Sequence, residues 1–202
     1  MSKNTSVKIK RALLSVSDKS GITELAKSLE NGGVEIVSTG GTLKHLADEG
    51  IKVKEVSDFT GSPEMMEGRV KTLHPKIHAG ILSRREKDLD EVKENFIEEI
   101  DLVVINLYPF EETVKKKVSL EETIENIDIG GPTIIRAAAK NFYYVTVLSS
   151  PENYSNFIDE FSENNEVSYE TRYELARKAF NKISEYDLAI SCLLYTSDAA
   201  DE

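Results

Sequence analysis

A glycine pair flanked by hydroxyl side chains is the first feature of this sequence that could bind a ligand. Residues 38–42 are Ser38, Thr39, Gly40, Gly41 and Thr42, between an apolar run and a segment with helical spacing. Backbone amides beside glycine can approach an anion closely, and a helix amino terminus adds partial positive charge. The hydroxyl groups can add hydrogen bonds. The pattern is compatible with a phosphate site, and taken alone it is also typical of an ordinary strand–helix turn with a good helix cap.

A second cluster of hydroxyl groups follows the first apolar run of the chain. Ser15, Ser17 and Lys19 stand at the end of residues 11–17, which resemble a strand buried on both faces. In a parallel sheet, this strand end and residues 38–42 lie at the same edge. The cluster is weak alone, but it adds hydroxyl groups and a cation to the same predicted site.

Two cations alternate in a segment without clear periodicity. Arg69 and Lys71 would face the same side if residues 68–75 are extended, which suits an anionic substrate or a developing oxyanion. A solvated basic loop is the alternative. His74 and His78 have a spacing that binds metal on a helix, but Pro75 between them predicts no helix there, and no third ligand is evident. We therefore predict no metal site.

Polar residues also follow the most apolar run, residues 101–107. Asn106 and Tyr108 stand where a buried strand would end, which points them into the expected crevice. A strand-end tyrosine packed against a turn is the alternative interpretation of Tyr108. Thr72, farther back in the chain, is a further candidate for substrate contact.

A glycine-opened helix provides the last candidates. Asp128 and Ile129 precede Gly130 and Gly131, and Lys140 lies two to three turns further along the predicted helix. Asp128 could act as an acid or base, and Lys140 as its partner. A helix cap and a surface lysine are the structural alternatives.

The predicted elements alternate along the chain. Strands are predicted at residues 11–17, 34–37, 51–56, 101–107 and 144–148. Helices are predicted at residues 20–31, with Ser20 as cap, at 42–49 and 88–100, and from about 63, 119, 130, 150 and 168. This order predicts an α/β fold, a mostly parallel central sheet with helices on both faces, whose ligands bind at the carboxyl ends of the strands.

Composition narrows the class of protein. The 202 residues carry a formal net charge of −11, so most of the surface would repel nucleic acid, and none is expected as a partner. Cys192 is the single cysteine, which fits a reducing compartment. We find no apolar stretch of membrane-spanning length and no signal peptide, so no membrane association is expected and the cytoplasm is the expected location.

The end of the sequence departs from the rest. Helical apolar spacing continues to Ile190 and is then lost. We therefore expect one domain, residues 1–190, followed by a non-native or disordered tail, residues 191–202.

Taken in order, the motifs resemble one family closely. They are Ser-Val-Ser-Asp-Lys, Ser-Thr-Gly-Gly-Thr, Gly-Arg-Val-Lys-Thr-Leu-His-Pro-Lys-Ile-His, Asn-Leu-Tyr-Pro-Phe and Asp-Ile-Gly-Gly-Pro-Thr with Arg-Ala-Ala-Ala-Lys-Asn. The family is the amino-terminal inosine-monophosphate (IMP) cyclohydrolase domain of the bifunctional purine biosynthesis protein. The resemblance implies a methylglyoxal-synthase-like fold and closure of a formylated ribotide to IMP, with no metal or organic cofactor. It also implies that the transformylase domain of the full protein is absent, and it is compatible with a homodimer.

The resemblance also implies roles for the candidate residues. Arg69 and residues 38–42 would hold the ribotide phosphate, helped by Ser15, Ser17 and Lys19. Lys71 and Tyr108 would stabilise the formyl oxygen, and Asp128 and Lys140 would move the carboxamide proton. The remaining substrate contacts would be Thr72, Asn106, Ile129, Gly130 and Gly131.

Two other functions remain open from the sequence. A methylglyoxal-synthase-type phosphate lyase would share the fold and the phosphate turn, but it would leave the Asn-Leu-Tyr-Pro-Phe motif unexplained. A non-catalytic nucleotide-sensing domain, like the regulatory module of carbamoyl-phosphate synthetase, would need the phosphate turn alone. Convergence of Lys71, Tyr108, Asp128 and Lys140 on one point would favour an enzyme.

Overall fold

The protein folds around a five-stranded parallel sheet, as predicted from the alternating elements. The structure is a computed structural model, and it describes residues 5–66, 68–107 and 119–198. Across the sheet, the strand order is β4 (Lys54–Glu55), β3 (Glu35–Ser38), β2 (Arg11–Val16), β5 (Leu102–Asn106) and β6 (Thr146–Leu148). A separate antiparallel pair joins β1 (Val7–Lys8) to β7 (Glu166–Val167).

Helices cover both faces of the sheet. In chain order they are α1 (Ile22–Asn31), α2 (Gly40–Asp48), α3 (Val56–Thr60), α4 (Pro75–Leu82), α5 (Leu89–Glu94), α6 (Leu120–Glu125), α7 (Gly130–Lys140), α8 (Tyr154–Asn164) and α9 (Tyr169–Asp198). A short 3₁₀ turn, Pro151–Asn153, leads into α8.

Alternation along the strands divides the interior into two cores. Leu13 and Val103 point to one face, where they pack with residues of α3, α4, α7 and α9. Leu14 and Val104 point to the other face, where α1, α2 and α8 cover them. Successive strand residues face opposite sides, so strands covered on both faces must be apolar throughout. This is why the sequence shows continuous apolar runs rather than alternation.

The register brings the carboxyl ends of the central strands together. Val16 of β2 is paired with Asn106 of β5, and Leu14 is paired with Ser38 of β3. The chain leaves β2 toward β3 on one side, while β5 lies on the other side. This is a topological switch point, where a crevice opens in parallel α/β sheets.

Several predicted boundaries were wrong for local reasons. Gly21, with a φ of 72°, precedes α1, and Ser20 bonds Asp18 instead of capping the helix. Helix α2 begins at Gly40, two residues earlier than predicted. The third strand, predicted over residues 51–56, contains only Lys54–Glu55, because Val56 already begins α3.

The prolines and one long helix also need correction. Pro75 is the first residue of α4 and His74 is its cap, so proline starts a helix here rather than preventing one. No helix begins at Pro63. The helix predicted over residues 88–100 ends at Glu94.

The last helix continues past the point where the apolar spacing is lost. Helix α9 extends to Asp198, and both Ile190 and Leu193 are partly buried against the core. The expectation that residues 191–202 are non-native or disordered stays a prediction.

A buried arginine joins distant parts of the chain. Arg172 of α9 is fully buried, and its guanidinium donates hydrogen bonds to four backbone carbonyl groups. The acceptors belong to Thr5, Phe142, Tyr143 and Val167. Burial lowers the pKa of this guanidinium, and the nearby Glu160 carboxylate acts in the opposite direction. Arg172 thereby ties the amino-terminal segment and β7 to the loop before β6.

We expect Arg172→Met to lower the free energy of unfolding by at least about 3 kcal/mol, because several buried carbonyl groups would lose their donor. Arg177→Met is the matched control on the same helix, where the arginine is exposed and paired with Glu174. It should change stability by less than about 0.5 kcal/mol. Urea denaturation of both variants measures the difference, and equal losses would contradict the anchoring role.

Candidate active site

A cleft of about 730 Å³ lies at the carboxyl edge of the sheet, where the switch point predicts it. Most of the residues predicted from sequence line it. They are Ser15, Ser17, Lys19, Thr39, Gly41, Thr42, Arg69, Lys71, Thr72, Asn106, Asp128, Ile129, Gly130 and Gly131. The predicted segments, which are far apart in sequence, therefore form one site.

Two lysines lie over the amino end of α2. The Lys71 ammonium nitrogen is 3.5 Å from the position that a Cβ atom on Gly40 would occupy. The Lys19 ammonium nitrogen is 3.7 Å from the corresponding position on Gly41. Helix amino termini attract anions, and two ammonium groups strengthen that attraction. The arrangement can bind a phosphate group between the helix and the lysines.

Two hydroxyl groups of the predicted phosphate turn have structural partners. The Ser38 hydroxyl donates to the Leu14 carbonyl at 2.7 Å, inside the sheet. The Thr42 hydroxyl accepts from the Val16 amide at 2.9 Å and donates to the Val16 carbonyl at 3.0 Å. Ser38 and Gly40 do not line the cleft. These two hydroxyl groups therefore fix the turn against β2, and the helix amides and lysines remain for an anion.

Asn106 holds the loop between β2 and α1. Its Oδ1 atom accepts from the Ser17 amide at 2.7 Å, the Ser17 hydroxyl at 2.9 Å and the Asp18 amide at 3.0 Å. Its Nδ2 atom donates to the Asp18 carbonyl at 2.7 Å. Because both ends of the carboxamide are engaged, Asn106 acts in this structure by positioning the loop that carries Lys19.

Asp128 caps the helix that opens the far wall of the cleft. Its Oδ1 atom accepts from the Gly131 amide at 2.9 Å, and its own amide donates to the buried Tyr186 hydroxyl at 2.8 Å. A Cβ atom on Gly131 would lie 2.3 Å from Oδ2, so the carboxylate needs glycine at this position. The Asp128 carboxylate is thus held at the cleft by α7 and α9 together.

Arg69 lies at the mouth of the cleft with a carboxylate partner. Its Nε atom donates to Glu125 Oε1 at 2.9 Å, and its Nη2 atom bonds Glu125 Oε2. Both side chains are more than half exposed. The arginine predicted to hold phosphate is therefore bound to the opposite wall of the cleft.

Two predicted catalytic residues are not placed in the cleft. Lys140 is the exposed last residue of α7, about 15 Å from Gly130 at the usual helical rise, and it does not line the cleft. It shares the exposed face of α7 with Arg136, and its catalytic role stays a prediction. Tyr108 lies outside the described residues, and its role stays a prediction.

Sequence reasoning missed several residues of the cleft. Ile124, Glu125, Asn126 and Ile127 line it from the end of α6, and Tyr186 supports it from α9. The capping pattern did predict α6, since the Ser119 hydroxyl accepts from the Glu122 amide. No spacing or composition signal distinguishes these residues from a solvated helix end.

The two histidines have helix-capping partners. His74 Nδ1 accepts from the Lys76 amide at 3.2 Å, and His78 Nδ1 lies 3.2 Å from the His74 carbonyl oxygen. Among the residues that the structure describes, no cluster of three or more His, Cys, Asp or Glu side chains is placed to hold a metal ion. In the same part of the chain, no helix is long and apolar enough to cross a membrane.

Comparisons with known proteins agree with this architecture. Residues 21–133 match the model of the MGS-like domain, and residues 138–202 match the model of the AICARFT/IMPCHase bienzyme. The crystal structure of ForH matches with a TM-score of 0.84 and 36% identity, covering 93% of this chain and 98% of that one.

The curated relatives are longer proteins. The chain is 54% identical over 197 residues to the bifunctional purine biosynthesis protein PurH of Acetivibrio thermocellus, covering 96% of this chain and 38% of that protein. It is 55% identical over 188 residues to PurH of Clostridium botulinum, covering 92% of this chain and 38% of that protein. The chain therefore spans well under half the length of these relatives.

Asn106→Asp tests the positioning role. An oxygen would replace Nδ2 opposite the Asp18 carbonyl, so we expect a stability loss of about 1–3 kcal/mol and weaker phosphate binding. Asn95→Asp is the control, because the exposed Asn95 Nδ2 also donates to a backbone carbonyl. That variant should lose less than about 1 kcal/mol and keep its phosphate affinity. Thermal unfolding and phosphate titration are measured on both variants. An Asn106→Asp variant with unchanged stability and phosphate affinity would refute the positioning role.

Proposed function

Because this chain belongs to the family of the MGS-like domain and carries a cationic cleft at its sheet edge, we propose that it is an IMP cyclohydrolase. The observation that carries the proposal is the position of Lys71 at the amino end of α2, in the same cleft as the Asp128 carboxylate. An anion site beside an acid–base group is what a reaction on a phosphorylated substrate requires. The similarity to bifunctional purine biosynthesis proteins supports the same reaction.

The proposed reaction closes a ring within one molecule. In 5-formamidoimidazole-4-carboxamide ribotide, the carboxamide nitrogen attacks the formyl carbon, and the formyl oxygen leaves as water to give IMP. The nucleophile and electrophile are already in one molecule, so the protein must restrain conformation, stabilise the oxyanion and move protons. Side chains and backbone amides can perform these tasks.

The phosphate end of the substrate would bind at α2. The amino end of α2 and the Lys19 ammonium group border the proposed position. Arg69 would add a bidentate contact once it leaves Glu125. A single phosphate group matches the size of this cationic region, and the ribose and base would extend toward Thr72 and α7.

The reacting end would lie between Lys71 and Asp128. The Lys71 ammonium would stabilise the formyl oxygen as it gains negative charge, and Tyr108 would assist it. The Asp128 carboxylate would accept the proton that the carboxamide nitrogen loses. We leave Lys140 out of this proposal because it is at the far end of α7.

Two functions of the same fold remain as alternatives. A nucleotide sensor would need the anion site without an acid–base group beside it, and a phosphate lyase would release inorganic phosphate. Incubating the purified chain with the formylated ribotide, and following IMP by its ultraviolet absorbance, separates the cyclohydrolase from both alternatives. We also propose a cytoplasmic location and a homodimer.

We predict that Lys71→Ala lowers turnover by about 10²–10³, since it removes one oxyanion-stabilising donor. Affinity for IMP should fall much less. Lys44→Ala removes an exposed lysine from α2 outside the cleft and should leave both quantities unchanged. If Lys71→Ala instead weakens IMP binding with turnover intact, Lys71 serves the phosphate and not the oxyanion.

Asp128→Asn separates proton transfer from helix capping. Asparagine retains Oδ1 as the acceptor for the Gly131 amide, so stability should change by less than about 0.5 kcal/mol. The lost carboxylate should abolish most of the turnover while IMP affinity is retained. Thermal midpoint, IMP affinity and turnover are measured on the same sample. Normal turnover would make Asp128 a structural cap alone.

A further inference from the structure

The two walls of the cleft are joined at its mouth by an ion pair. Arg69 belongs to the segment that carries Lys71 and Thr72, whereas Glu125 is the last residue of α6. The guanidinium offers Glu125 its Nε–Nη2 edge, with a bond at each nitrogen, and both residues line the cleft. Deeper in the cleft the walls also approach each other, because Thr72 Oγ1 is 3.0 Å from the position of a Cβ atom on Gly130.

The pair occupies the edge of Arg69 that suits an oxyanion best. Carboxylate and phosphate groups both present two oxygen atoms at the spacing of a guanidinium edge, so they compete for it. The described cleft is lined by three cations, Lys19, Arg69 and Lys71, and by two carboxylates, Glu125 and Asp128. Asp128 is engaged with Gly131, which leaves Glu125 as the carboxylate that contacts a cleft cation.

We propose that Glu125 competes with the ligand's phosphate for Arg69. The pair joins the two walls at the mouth of the cleft. A phosphate group bound at α2 takes over the Nε–Nη2 edge, and Glu125 is released into solvent. The inference rests on the proposed function only in taking phosphate as the ligand's anionic group.

The energetic consequence is a lower affinity for phosphate. A ligand must break the pair before it can use Arg69, so its binding free energy is reduced by the stability of the pair. Exposed pairs of this kind are worth little, so a phosphate group can break the pair at a small cost in binding free energy.

Titration calorimetry with inorganic phosphate at low salt tests the competition. We expect Glu125→Gln to bind phosphate about two- to five-fold more tightly than the unmodified chain, the range that an exposed ion pair allows. Arg69→Ala should bind more weakly. In the Arg69→Ala background, adding Glu125→Gln should change the phosphate affinity by much less, because the guanidinium group for which Glu125 competes is missing.

The matched control is Glu121→Gln. This glutamate lies one turn earlier on the exposed side of α6 and does not line the cleft, so its loss should leave phosphate affinity unchanged. The proposal would be overturned if Glu121→Gln raised phosphate affinity equally, or if Glu125→Gln raised it in the absence of Arg69. Either result would show general repulsion between carboxylates and phosphate. No tightening by Glu125→Gln would overturn it as well.

The proposed function is tested separately by turnover of the formylated ribotide. A chain that shows the phosphate coupling but forms no IMP would refute the cyclohydrolase and leave the competition established. A chain that forms IMP but shows no coupling would support the cyclohydrolase and refute the competition. If Arg69→Ala binds phosphate normally, Arg69 is not a phosphate ligand, and the competition is refuted whatever the turnover.

Discussion

The cleft depends on how the Asn106 carboxamide joins the ends of β2 and β5. The register places Asn106 opposite Val16, where one side chain can reach the next two residues of the neighbouring chain segment. It bonds two amides, one hydroxyl and one carbonyl at this half-buried edge. An unpaired buried polar group is costly, so the loop has little freedom to move. The position of Lys19, and with it one side of the anion site, follows from this network.

The opposite side of the site is held by a second set of polar contacts. Thr42 bonds both backbone groups of Val16, so the first turn of α2 is fixed to the end of β2. Asp128 fixes the first turn of α7 and is itself fixed by Tyr186, a buried residue of α9. Helix amino termini from two different crossovers thus point into one crevice. The Lys19 ammonium group also donates to the Val16 and Ser17 carbonyl groups at 3.4 Å, so the same strand end positions this cation beside the amino end of α2.

Sequence patterns predicted the sheet, the position of the cleft and most of its lining, because buried parallel strands produce continuous apolar runs and glycines mark close approaches. They could not distinguish a residue that touches a ligand from one that positions the backbone of the cleft. Asn106 and Thr42 are of residue types that do either. Proline was misjudged at residue 75, where the first helical position tolerates it. Lys140 was assigned a role by resemblance alone, and that role stays a prediction, because it lies at the far end of α7 from Asp128. Glu125 carried no signal, because its partner comes from a segment 56 residues away.

A net charge of −11 is compatible with a phosphate site because the two act over different distances. At physiological ionic strength the Debye length is about 8 Å, so carboxylates on the far surface are largely screened from the cleft. Inside the cleft, Lys19, Lys71 and the amino end of α2 act at short distance, where screening is weaker. The surrounding acidic surface still repels polyanions, which must approach over a wide area. A small phosphorylated molecule would need to approach only a small part of the surface, so a local anion site and an acidic overall charge are compatible in one protein.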